Sequence, residues 1–227
     1  MNIYSRLQRS FKFRFAILYP FGTAAVIFAI PDDKSIRVGI WFIITGLFIR
    51  IWANGYAIKL EKLTTSGPYA FLRHPLYLGT MLLIVGFILT LKIHYIIGIL
   101  SIIVIAAVYY STIKKEEQML EQKFKDAYIN YKKKVPAIFP TIFPYREGEK
   151  WPFSLARLIK SQEYKLLLWI IILTIVFHLK HEFITEHETM DAKIWGLIIT
   201  AFILGILDLT GEFIKWQRKS SKRRLAV

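Results

Sequence analysis

The chain has 227 residues, 55% hydrophobic and 15% aromatic, with a formal net charge of +15 and no cysteine. It is too apolar for a soluble domain of this length, and the apolar residues fall in long blocks, so one integral membrane domain is expected. The absence of cysteine excludes disulfide frameworks, thiolate metal sites, a cysteine nucleophile and lipidation at cysteine.

Six apolar segments carry the helical signal, at roughly 13–30, 36–53, 76–91, 94–112, 165–180 and 193–210. The fold class expected is all-α: a polytopic integral membrane helical bundle of about six spans. Arg6, Arg9, Lys12 and Arg14 precede the first block, as in a signal peptide. Pro31-Asp32-Asp33 follows it without a small-residue cleavage site, so it reads as a retained helix. Leu91-Lys92-Ile93-His94 reads as the link of a tight hairpin between the third and fourth blocks. A proline-rich, loop-like stretch at 132–152 separates four front spans from two back spans. The organisation expected is an N-terminal span (1–35), a membrane core (36–140), a cytoplasmic loop (141–164), and two further spans with a basic tail (165–227).

Charge sets the orientation. With the N-terminus inside, 26 of the 31 basic residues fall on cytoplasmic segments; only Lys34, Arg37, Lys92, Lys180 and Lys193 do not. The positive-inside rule therefore predicts a multi-pass protein of an inner, cytoplasmic-type membrane with both termini cytoplasmic. It also puts 54–75 and 113–164 on one face, where they can build one site. Because the basic residues cluster at span ends, the bilayer accounts for the charge and nucleic acid is not expected as a partner.

The most telling polar stretch is Thr65-Ser66-Gly67-Pro68-Tyr69 followed by Arg73-His74-Pro75-Leu76-Tyr77. Irregular polar backbone between two spans persists only where it is buried in protein or lines a wet cavity. Gly67-Pro68 signals a turn, and Pro75 suits the first turn of the third span. His74 and Tyr77 then share one side of a helix entrance that suits an anionic group. A headgroup-level belt of Tyr, His and Arg is the plainer account of the same residues.

Leu120, Phe124, Tyr128 and Tyr131, spaced 4, 4 and 3, continue a helix past Glu116-Glu117 as an amphipathic segment at the interface. Adjacent carboxylates do not share a helix face, so one would pair with Lys114 or Lys115 and the other turn inward toward a bound ammonium; a solvated charge run is the plainer account. Arg50, near the end of the second span, either snorkels to the interface or pairs, with Asp208 as a candidate partner. His178, His181, Glu182, Glu186, His187 and Glu188 invite a metal reading but fix no geometry, and an ordinary polar outer loop is expected; no metal site is predicted. There is no Gly-x-Gly-x-x-Gly, Gly-Lys-Ser/Thr loop or Gly-x-Ser-x-Gly.

These segments together resemble the isoprenylcysteine carboxyl methyltransferase and phospholipid methyltransferase superfamily of small integral membrane enzymes. The resemblance rests on Thr65, Gly67-Pro68-Tyr69, Arg73-His74-Pro75-Leu76-Tyr77, Glu116-Glu117, Leu120, Phe124, Tyr128, Tyr131 and Val135-Pro136, and covers roughly 36–140. It implies S-adenosyl-L-methionine as cofactor, in a cytoplasmic pocket, and a lipophilic small-molecule or lipid acceptor reached from the bilayer. By that resemblance His74 and Tyr77 would hold the cofactor's carboxylate and Glu116 its ammonium, with Glu117 nearby. Tyr69, Leu63 and Thr64 would line the nucleoside pocket, and Asn54 would add a polar contact. Glu116, Arg73 and Lys115 are the catalytic candidates. Where the prenylcysteine enzymes have an arginine before the Glu pair this chain has Thr112, followed by Lys114 and Lys115; a lysine positions an anion only as a point charge. The reaction implied is O-methylation of an isoprenylcysteine-type carboxylate or N-methylation of a phospholipid amine. Two alternatives stand beside it: a sterol-reductase-like oxidoreductase using NADPH, against which Leu76 and the Glu pair count, and a non-catalytic membrane scaffold.

Overall fold

The computed structural model describes residues 31–58, 62–161, 163–184, 194–200, 202–203 and 205–206. The expected first span, Asp208, Glu186, His187, Glu188 and the basic tail lie outside the described residues. Among the described residues the chain is helical throughout, with no strand. Helix α1 runs Asp33–Tyr56, a short 3-10 turn Gly67–Ala70, α2 Pro75–Thr90, α3 Tyr95–Lys134, α4 Leu155–Ser161 and α5 Glu163–Ile184. Residues 194–200, within the sixth expected block, are also helical. The segment expected as a loop, 141–164, contains the short helix α4.

Local signals set the boundaries. Asp32 caps α1 through a capping box: its Oδ1 accepts from the Ser35 amide at 2.7 Å, while the Asp32 amide donates to Ser35 Oγ at 3.0 Å. Gly67 adopts φ +61° at the start of the 3-10 turn, where a Cβ would strike the Tyr56 ring. Pro75 opens α2, where its missing amide costs nothing. The hairpin link between α2 and α3 spans four residues and turns at Lys92, φ +51°.

The dominant packing is α1 against α2, antiparallel, along a glycine seam. Gly39 faces Gly86 and Gly46 faces Gly79, each pair seven residues apart along its own helix. A Cβ on Gly39 would lie 2.5 Å from the Gly86 carbonyl oxygen, and one on Gly46 would lie 2.6 Å from that of Gly79. In lipid, where the hydrophobic effect does not drive helices together, such backbone contact is what dispersion needs. At the far end of the seam Arg50 reaches the Leu76 carbonyl oxygen (3.3 Å) and the Thr80 hydroxyl, tying the two helices. Arg50 therefore pairs across the helix interface with α2.

Helices α1 and α3 are each long and apolar enough to cross a bilayer; α2 and Lys165–Leu179 are shorter apolar helices. Large apolar side chains point outward along both, among them Trp41, 71% exposed, and Ile99, 55%. These lengths and faces fit a membrane helical protein. Helix α3, at 40 residues and about 1.5 Å per residue, would be about 60 Å long, twice a hydrocarbon core. Its apolar part ends at Ile113, before Lys114-Lys115. The amphipathic continuation is not one straight helix: Lys125, at φ +44° and ψ −124°, breaks it, a conformation a lysine adopts only under strain. The break turns Tyr128, Tyr131 and Val135 into a buried cluster with Leu63, Leu120, Phe124 and Tyr145.

His178, His181 and Glu182 belong to the last turns of α5 rather than to a loop. His178 pairs with Glu182 (3.2 Å), and His181 Nε2 lies 3.4 Å from Asp33. His181 Nδ1 faces the Pro31 carbonyl oxygen at 3.0 Å, an acceptor only, so Nδ1 donates there.

The seam yields a test. Gly39→Leu must push α1 off α2 and is expected to cost about 1–3 kcal/mol or more by overpacking. Thermal unfolding in detergent measures it, with the outward-facing Ile44→Leu unchanged.

Candidate functional site

Two pieces of chain meet where α1 ends and α2 begins. The amides of Arg73 and His74 donate to the Pro136 and Ala137 carbonyl oxygens, both at 2.9 Å, which docks the entrance of α2 against the chain just after α3. Between them lies a cavity of about 290 Å³. Its walls come from the end of α1 (Asn54, Ala57, Ile58), from the following segment (Lys62, Leu63, Thr64, Tyr69), from Arg73, His74 and Leu76, and from α3 (Glu116, Met119, Leu120, Phe124, Tyr128, Tyr131). A second cavity of about 530 Å³ adjoins it, sharing Lys62, Leu63 and Phe124.

Among the expected site residues, Asn54, Leu63, Thr64, Tyr69, Arg73, His74 and Glu116 line the first cavity. Tyr77 lies behind the wall, its hydroxyl donating to Glu116 Oε2 at 3.0 Å. Lys115 is exposed and not part of the wall, because the helical turn that brings Glu116 inward carries its neighbour out. Thr112 is buried, its hydroxyl donating to the Val108 carbonyl oxygen at 2.8 Å.

Glu116 and Glu117 do not divide as the helix pattern implied. Both reach the 73–77 segment, on either side of His74. Glu117 accepts from Arg73 (2.6 Å), from His74 Nε2 (3.3 Å) and from Lys132 (3.0 Å), not from Lys114 or Lys115. Glu116 Oε2 lies 3.8 Å from His74 Nδ1, beyond hydrogen-bond reach, and its side chain is 40% exposed. Lys132 reaches Glu117 because the break at Lys125 folds it back. It also pairs with Glu121 at 2.6 Å, and the two carboxylates raise its pKa.

Arg73 is committed: besides Glu117, it donates to the Lys132 and Val135 carbonyl oxygens at 2.9 and 2.8 Å. Those are terminal carbonyls of α3, which have no partner within the helix. Burial alone would push the Glu117 carboxyl up. The hydrogen bonds from His74 and Lys132, with the Arg73 guanidinium, outweigh it and hold the group at about 2 against an ordinary 4.5.

Sequence reasoning missed Lys132, hidden in a run of three lysines, and the cavity role of Tyr128, whose helical spacing was the one available signal. Tyr128 is fully buried, and its hydroxyl has no hydrogen-bond partner among the described residues. Tyr131, one turn on, donates to the Tyr69 carbonyl oxygen at 2.6 Å.

The described residues thus define a helical membrane-type protein with a cavity at one end of the α1–α2 pair, its wall carrying the Glu116 carboxylate beside Lys62 and Arg73. Residues 34–127 match the family described as phospholipid methyltransferase, the stretch that holds the motif residues from Thr65 to Glu117. The chain is 32% identical over 104 residues to the cobalt-zinc-cadmium resistance protein CzcN of Cupriavidus metallidurans, covering 45% of this chain and 47% of that protein. It is 31% identical over 99 residues to the nickel-cobalt-cadmium resistance protein NccN of Alcaligenes xylosoxydans xylosoxydans, covering 43% and 46%. The chain spans about half the length of these curated relatives. No solved structure matches it. Among the described residues no group of three or more His, Asp or Glu is arranged to hold a metal.

Two expectations follow. Tyr131→Phe loses a made hydrogen bond and should cost about 1 kcal/mol, whereas Tyr128→Phe removes an unpartnered hydroxyl and should not destabilise the protein; thermal unfolding of the pair in detergent measures the contrast. The depressed Glu117 pKa means its contribution to stability is whole above about 4.5 and is lost as pH falls toward about 2. Unfolding temperatures recorded across that range should fall in wild type, with the fall shallower in a Glu117→Gln variant that is already weaker at neutral pH.

Proposed function

We propose that this protein transfers a methyl group from S-adenosyl-L-methionine to a lipophilic acceptor at the membrane, with the cofactor in the cavity at the end of α1 and α2. The supporting observation is that the two separated motif halves close on one cavity, with Glu116 as the carboxylate on its wall. The cofactor is a sulfonium with an ammonium group, and the Glu116 carboxylate on the wall matches that ammonium. The apolar side, from Leu63, Met119, Leu120 and Phe124, suits a base and a thioether, and the adjoining cavity extends the space available.

In this reading Glu116 binds the ammonium. Tyr77 holds it in place through the 3.0 Å hydrogen bond. His74 and Arg73 act through Glu117, which fixes the α2 entrance against α3; they are positioning groups rather than reacting ones. His74 is a weaker candidate for the cofactor's carboxylate than the motif implied, since both ring nitrogens face the Glu pair. Asn54, Leu63, Thr64 and Tyr69 line the nucleoside side. Bound there, the cofactor supplies an activated methyl group with a good leaving group. The protein's share is to align the acceptor and exclude water, chiefly an effect of proximity. The six-span bundle, the orientation with both termini inside and the four-part division of the chain belong to this proposal. The acceptor is a membrane lipid or isoprenoid bearing an amine or carboxylate.

Titration of S-adenosylhomocysteine into the detergent-purified protein tests the site. Wild type should bind, and Glu116→Ala should weaken binding roughly ten-fold or more, the worth of a charge-assisted hydrogen bond. No binding to folded wild-type protein would sink the proposal.

A further inference from the structure

Phe139, Ile142 and Phe143 are 82%, 87% and 82% exposed, more open than the outward-facing side chains of the apolar helices. They are not a loose end. The Arg73 and His74 amides donate to the Pro136 and Ala137 carbonyl oxygens; further along, the Thr141 and Tyr145 amides donate to the Phe71 and Ala70 carbonyl oxygens, each at 2.9 Å. Four backbone hydrogen bonds thus fix this stretch to the entrance of α2 and hold the three side chains outward.

A second exposed apolar element sits at the same end of the helix pair. Leu155 and Ile159, each 65% exposed, are four apart on α4 and so share a face. The start of α4 is tied to the end of α1: the Ser154 amide donates to the Gly55 carbonyl oxygen at 3.0 Å, and the Phe153 ring packs where a Cβ on Gly55 would stand. Since α1 and α2 are antiparallel, the end of α1 and the entrance of α2 lie together, one to two helical turns past Arg50. At about 1.5 Å per residue that is the depth of the headgroup and upper acyl region beyond the apolar core. Exposed Lys133, Arg146 and Lys150 flank the two elements, with the sign that anionic headgroups attract.

We infer that 139–143 and α4 form an in-plane rim docked into the leaflet at that end of the helices, and that their partner is an anionic lipid surface. The rim continues the lipid-facing surface of the spans around their end and sets the cavity at headgroup level, within reach of a lipid acceptor. The inference rests on the membrane reading of α1 and α3, not on the methyl-transfer reading.

The absence of native cysteine makes the test direct. Single cysteines at Ile142 and Ile159 in the full chain are labelled with an environment-sensitive fluorophore, beside references at Ile99 on the apolar part of α3 and Asp126 on its polar part. The proteins are reconstituted in phosphatidylcholine–phosphatidylglycerol vesicles. The rim labels are expected to emit blue-shifted, to be quenched by shallow doxyl lipids, and to be several-fold less accessible to aqueous iodide than the Asp126 label. The Ile99 label should respond to deep doxyl lipids. Rim labels that behave like Asp126 while Ile99 is lipid-quenched overturn the inference and leave the membrane reading standing. Failure at Ile99 as well overturns both. Shielding from iodide without lipid quenching, rising with protein concentration, overturns it in favour of contact between two copies.

Discussion

The interaction on which the rest depends is the one around Glu117. A carboxylate with its side chain only 12% exposed carries a large desolvation penalty, and three cationic or protonated groups must converge to offset it. Arg73 and His74 come from the chain before α2, and Lys132 from beyond the break in α3. Satisfying one charge therefore fixes three pieces of chain at once. Removing one partner of such a network leaves charge stranded and costs about 3–5 kcal/mol, more than most single contacts.

That convergence explains how two neighbouring carboxylates take different parts. Glu117 is consumed by structure. Glu116, held by one tyrosine hydroxyl and open on its other side, is left for a ligand. His74 stands between them and is 4% exposed. It bonds Glu117 and packs on the Tyr77 ring, whose hydroxyl holds Glu116, so the site's geometry leans on the buried ion pair. The break at Lys125 serves the same end: only a chain that turns there brings Lys132 back to Glu117 and Tyr128 and Tyr131 over the cavity.

Below the site, close backbone contact does the work that burial does in water. The Gly39–Gly86 and Gly46–Gly79 contacts bring α1 and α2 together, and Arg50 closes the end of the seam on Leu76 and Thr80. This rigid pair is the platform from which Asn54 and His74 project into the cavity, and to which both exposed apolar elements at its end are tied.

Much of this was legible in the sequence, because it is local. Apolar block length marked α1, α2, the apolar part of α3, and α5. Pro75 marked the start of α2, Gly67-Pro68 the turn before it, and the spacing of Leu120, Phe124, Tyr128 and Tyr131 the inward face of the polar helix. Seven of the expected site residues, Asn54 to Glu116, do line one cavity. Other features depend on groups far apart in the chain. Nothing local distinguishes Lys132 from Lys133 and Lys134, predicts that Lys125 leaves helical geometry, or tells that Glu117 and not Glu116 is the buried acid. Those choices follow from which arrangement compensates a desolvated charge, an energy that exists only once segments from 73 to 135 are packed together. Sequence by itself determined the elements and the chemistry of their ends; the tertiary structure decided which of those charged groups holds the fold together and which is left facing the cavity.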